Sequence, residues 1–120
     1  MRYIFGLILF VLCASGCYYD HADLVYPQTA CNLTGVTYSV SVKTILSSNC
    51  YTCHSGSAVA GGGIALDNYT IVKAYVTNGQ LMNSINRTGG IPAMPLSGSQ
   101  LGSCEIQTIQ AWINSGTPNN

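Results

Sequence analysis

Cys50-Tyr51-Thr52-Cys53-His54 sets two thiols three residues apart and puts a histidine directly after the second. This spacing is the attachment pattern for a covalent haem. Each thiol adds across one vinyl group of the porphyrin, and the adjacent histidine then faces the iron as its proximal ligand. Three other readings compete. A thioredoxin-like redox pair requires a βαβ context, and none is visible around Cys50. A structural zinc site requires four ligands, commonly two close pairs. His54 would be a third ligand and Cys31 or Cys104 a fourth, but no second close pair exists. The third is a chance match. The features on either side of the motif favour haem.

The flanks read as helices and rigid loops. Val42, Ile45, Leu46 and Asn49 fall at i, i+3, i+4 and i+7, so the spacing predicts a helix over 39–49 that runs into the motif. Residues 55–63 are small and glycine-rich, as expected of a loop that lets backbone approach the porphyrin edge. Asp67 or Asn68 is expected to cap a second helix that runs to Thr77 and stops at Asn78-Gly79, with Val72, Tyr75 and Val76 inward. A third covers 80–86, with Leu81, Met82 and Ile85 inward, and Gly89-Gly90 breaks it. In Ile91-Pro92-Ala93-Met94-Pro95-Leu96 two prolines fix φ and remove two backbone donors, which excludes a regular helix. A methionine on such a loop suits an axial thioether ligand, whereas Met82 has the spacing of a core residue. The last helix is expected over 103–115, with Ser103 as N-cap, Glu105 at the positive end of its dipole, and Ile106, Ile109, Trp112 and Ile113 in one stripe. Gly116 and Pro118 end it, and Trp112 is expected in the core and near the porphyrin.

The N-terminus predicts export. Arg2 supplies a short positive region and Ile4–Leu12 an apolar stretch too short to span a bilayer. Ala14-Ser15-Gly16-Cys17 resembles a bacterial lipoprotein processing site, although such sites usually carry Leu where Ala14 stands. That resemblance implies removal of residues 1–16, acylation of Cys17 and an extracytoplasmic, membrane-anchored protein. Residues 17–36 then read as a tether and 37–120 as one domain. His21 lies in the tether, where the surroundings lack periodicity and favour a solvated side chain over an iron ligand.

Six cysteines remain to be assigned. Cys13 leaves with the signal, Cys17 takes lipid, and Cys50 and Cys53 take haem. Cys31 and Cys104 are left as an even pair, and an oxidising compartment favours a disulfide between them.

Only 7% of the 120 residues are charged, against 48% hydrophobic, and the net charge is zero. The apolar content argues against disorder. No basic run is present to neutralise phosphates, so nucleic acid is not an expected partner. From Cys17 onward Lys43, Lys73 and Arg87 face Asp20, Asp23, Asp67 and Glu105, too little charge for strong electrostatic steering to a partner.

Together these residues resemble a class I-like cytochrome c domain, and more closely the planctomycete-type cytochrome c domains that also occur in Bacteroidetes lipoproteins. The pieces carrying the likeness are Val42–Leu46, Cys50–His54, Gly62–Asp67, Gly79–Ile85, Met94-Pro95, and Leu101 with Glu105-Ile106, Ile109, Trp112-Ile113 and Gly116. The likeness covers residues 38–118. It implies a small all-α fold wrapped around one haem, with His54 and Met94 as axial ligands. The implied task is one-electron transfer to redox partners outside the cytoplasm, not catalysis. It also implies that the N- and C-terminal helices meet, which brings Cys31 and Cys104 within reach of each other. The best-known soluble members place Gly-Pro after the motif, and that proline carbonyl holds the histidine ring. Gly61-Gly62-Gly63-Ile64 stands there instead, so another carbonyl is expected to accept from Nδ1 of His54. Two other functions stay open: a haem peroxidase or gas sensor with an open distal site, and a haem-free, disulfide-stapled lipoprotein.

Overall fold

The computed structural model describes residues 31–96 and 98–120. The expected signal, Cys17, His21 and the tether up to residue 30 lie outside the described residues, so they are not placed. Among the described residues the protein is all-α, with no strand. A π-helical turn, Tyr38–Val42, passes without a break into α1, Lys43–Asn49. A short 3-10 turn follows at Val59–Gly61. Then come α2, Tyr69–Thr77, α3, Gln80–Asn86, and α4, Ser103–Asn114. No helix among these is long and apolar enough to cross a membrane.

The first helical segment begins one residue earlier than its periodicity predicts, because its free N–H groups find partners. Thr37 Oγ1 accepts from the Val40 N–H, and the Thr37 N–H donates to Ser41 Oγ. Asn120 takes the next two: its Oδ1 accepts from Tyr38 N at 2.9 Å and its backbone oxygen from Ser39 N at 2.8 Å. A helix leaves its first N–H groups without internal partners, and the far end of the chain satisfies two of them here.

α2 starts where Asn68 Oδ1 accepts from the Thr70 N–H, so Asn68, not Asp67, is the cap. Asp67 instead accepts from the Gly56 N–H and closes the loop after the motif. α3 ends at Arg87, whose left-handed φ of 59° stops it two residues before the expected Gly89-Gly90 break. α4 is capped by Gly102 rather than Ser103, and Glu105 Oε2 accepts from the Gly102 N–H at 2.9 Å.

The core forms where the apolar faces of these helices meet. Val42 and Leu46, Val72, Leu81 and Ile85, and Ile109 and Trp112 are buried against one another, with Tyr38, Leu66 and Leu101. Trp112 is fully enclosed and packs on Tyr38, ring centroids 5.4 Å apart, and its indole N–H donates to the Pro118 carbonyl. Cys31 and Cys104 are bonded, with Cα atoms 5.4 Å apart, which ties the segment before Tyr38 to the first turn of α4.

Candidate functional site

Helical hydrogen bonding continues past α1 into the motif. Leu46 O accepts from Cys50 N and Tyr51 N, and Cys50 O then accepts from Cys53 N and His54 N. Side chains at i, i+3 and i+4 of such a turn share a face. Cys50, Cys53 and His54 accordingly line one cavity of about 510 Å³. That volume lies within the roughly 300–1,000 Å³ of small-molecule and cofactor pockets.

Other parts of the wall come from α2, α3 and the loop of residues 91–96. Leu81 and Ile85 of α3 and Ile91, Met94 and Pro95 of the loop line the same cavity, which is mainly apolar. The Met94 N–H donates to Ser84 O at 3.1 Å, which pins the loop to α3. The Met94-Pro95 peptide is cis. Met82 is half-buried against the core and does not line the cavity. Trp112, expected in the core, is buried there against Tyr38 and does not line the cavity. Cys53, Thr52, Gln80 and Leu96 are exposed, so the cavity opens to the surface.

The carbonyl left unnamed by the sequence is that of Ile64, 3.0 Å from His54 Nδ1. A carbonyl only accepts, so Nδ1 carries the hydrogen and the lone pair of neutral His54 sits on Nε2. This contact depends on the glycine-rich turn. A Cβ on Gly61 would lie 2.5 Å from Cys53 O and 2.5 Å from His54 Nδ1. The backbone at Gly61 therefore lies close against the imidazole. Ala58 starts the turn in the left-handed region, with φ of 48°, and its carbonyl accepts from Gly61 N and Gly63 N. A non-glycine residue there is strained, and no sequence signal marks it.

Both motif cysteines are free thiols, Cys50 half-buried and Cys53 exposed. Burial, with a smaller push from the Glu105 carboxylate, raises the Cys50 thiol to about 11 and keeps it neutral. Asn49 bridges the same region, its amide donating to Glu105 Oε1 and Ile45 O. Behind the motif, burial and the neighbouring Tyr51, Asp67 and Tyr69 raise Tyr38 to about 12. Tyr51 is raised as well, by burial first and then by Asp67 and Cys50. The hydroxyls of Tyr38 and Tyr51 are buried without a partner among the described residues.

The donor set fits a covalently held haem: two thiols, an imidazole nitrogen with a free lone pair, a thioether and mainly apolar walls. A four-ligand zinc site fits less well, because Cys31 and Cys104 are taken by each other. Among the described residues no group of three or more His, Cys, Asp and Glu is placed to hold a metal ion. Comparison with protein-family models, with curated proteins and with solved structures finds no match.

Proposed function

We propose that the protein is an exported c-type cytochrome that carries one haem on Cys50 and Cys53 and passes single electrons between redox proteins outside the cytoplasm. One observation carries the reading: Met94, distant in sequence from the Cys50–His54 motif, lines the same mainly apolar cavity as Cys50, Cys53 and His54. When bound there, haem supplies a one-electron ferrous/ferric couple. The chain's own residues supply the rest. Cys50 and Cys53 fix the group in place, and the Ile64 carbonyl holds the His54 ring in one tautomer and orientation. Met94 offers a neutral thioether, which favours the ferrous state and a comparatively high potential. The apolar walls exclude water, and the opening at Cys53 and Leu96 gives a partner access to the cofactor edge. The fold is thus an all-α wrap around one cofactor, anchored by lipid on Cys17. The test is production with a haem-attachment system, followed by intact mass under denaturing conditions. One haem retained is expected, and an unmodified mass overturns the reading. Cys17→Ser is expected to move the protein from membranes to the soluble exported fraction. Unchanged partitioning removes the anchor from the proposal and leaves the haem untouched.

A further inference from the structure

Haem carries two carboxylates, and among the described residues the lining of this cavity holds no Lys, Arg, Asp or Glu to meet them. The titratable groups on its wall are Cys50, Cys53 and His54 from the motif and Tyr75 from α2; α3 and the Met94 loop contribute none. Glu105 of α4 stands behind, on the Asn49 amide. The uncharged polar side chains of the wall are Asn49, Thr52, Tyr75, Gln80 and Ser84. Position and bonding separate them. The Asn49 amide is already spent on Ile45 O and Glu105 Oε1. Thr52 lies between the two thiols, so it belongs to the vinyl edge. Ser84 accepts from the Met94 N–H through its backbone carbonyl, so the residue sits against the Met94 loop, away from the motif in sequence. Tyr75 and Gln80 remain. Their side-chain polar atoms make no hydrogen bond to any described residue.

Resting on the cytochrome reading, we infer that the Tyr75 hydroxyl and the Gln80 carboxamide are the donors that hold the carboxylate edge of the bound porphyrin, with no cation beside them. Hydrogen bonds from neutral donors favour the ionised carboxylate without cancelling its charge. That charge acts on the iron across a mainly apolar space and favours the ferric state. The reduction potential therefore falls as pH rises through the titration of the carboxylates.

The experiment uses the haem-bearing full chain and follows the midpoint potential against pH, with the visible spectrum reporting ligation. Gln80→Lys places a cation at the carboxylates. It is expected to raise the reduced-to-oxidised ratio about tenfold at fixed ambient potential, equal to ~59 mV for one electron. Val59→Lys adds the same charge on a side chain 84% exposed and outside the lining, and is expected to shift the midpoint far less. The double change Tyr75→Phe with Gln80→Leu adds no charge. It is expected to move the bend in the potential-against-pH curve to higher pH, because the carboxylates lose the donors that favour ionisation. If haem is attached but all three variants keep the wild-type midpoint and pH profile, the carboxylates are held elsewhere and the inference falls, while the cytochrome reading stands. If Gln80→Lys and Val59→Lys shift the midpoint equally, the assignment to Gln80 is likewise overturned. If no haem is attached to the wild-type chain, both fall.

Discussion

The two sides of the segment Tyr38–His54 are built on opposite principles. One side closes on itself. Val42 and Leu46 meet Ile109 and Trp112 with almost no surface left exposed, and the chain ends are tied down over them. The ties are Trp112 Nε1–H to Pro118 O, Tyr69 O–H to Thr117 O at 2.7 Å, and Asn120 on Tyr38 and Ser39. The other side stays open around about 510 Å³, although most of its walls are equally apolar. Glycine and proline account for much of the contrast. The closed side is made of helix faces that interdigitate. The open side is bounded by the Gly61–Gly63 turn, which sends no side chain inward, and by the Pro92–Pro95 loop, which forms no helix to fill the space. One half is thus filled by its own side chains, and the other leaves a cavity unfilled.

The largest expected effect breaks the closed half. Trp112→Ala removes a fully buried indole and should cost about 3–5 kcal/mol, read from denaturant unfolding. The loss should be of similar size with and without haem, because Trp112 does not line the cavity. A loss confined to the haem-bearing form would show that the two halves are not separable in this way.

The intermediate effect belongs to the open half alone. In haem-free protein Cys50 is held neutral to about 11, whereas in the unfolded chain it ionises near the ordinary thiol value. A raised acid pKa stabilises the folded state below the unfolded value, and that stability is lost as pH climbs toward the folded one. Haem-free protein should therefore lose roughly 2 kcal/mol between about pH 9 and 11, each unit being worth about 1.36 kcal/mol before a discount for partial exposure. Cys50→Ala should lack this part of the loss, and comparison with it cancels the contribution of Tyr38. Attachment converts the thiol to a thioether, which does not titrate, so haem-bearing protein should match Cys50→Ala. An identical alkaline loss in all three would place its origin elsewhere.

The closed half was largely legible in the sequence, and the open half was legible only in its chemistry. The stripe of Ile106, Ile109, Trp112 and Ile113 announced α4, and α3 occupies the span its spacing predicts, because apolar periodicity reports directly on which face is buried. The helix ends were less visible. The start at Tyr38 depends on Asn120, distant in sequence, and the stop at Arg87 on a backbone conformation that arginine does not advertise. In the site, the residue types of the motif and the Met94 loop could be read, because thiol, imidazole and thioether are side-chain properties. The Ile64 carbonyl could not, since every residue carries one. Nor could the sequence say which glycine of Gly61–Gly63 meets the imidazole. That choice is made by packing in the folded chain, which leaves no room for a Cβ at Gly61 and leaves open space at Gly62 and Gly63.

The smallest effect on stability gives the sharpest test of the division between the halves, and it turns on two methionines. Met82 packs against the core from α3, and Met94 lines the cavity from the proline-bounded loop. Leucine is close to methionine in volume, so Met82→Leu and Met94→Leu should each cost less than about 1.5 kcal/mol in haem-free protein. Their effects on the haem-bearing form should then diverge. Met94→Leu removes the only thioether that the described residues place on the cavity wall, so the far-red thioether–iron band should vanish and the midpoint potential should fall. Met82→Leu should leave both unchanged, since α3 keeps its sulfur outside the cavity. The Met94 backbone contact to Ser84 O survives either substitution, so a shifted loop does not explain the difference. If Met82→Leu abolishes the band while Met94→Leu keeps it, the ligand comes from the core side of α3, and the separation of a closed half from an open one fails at the iron itself.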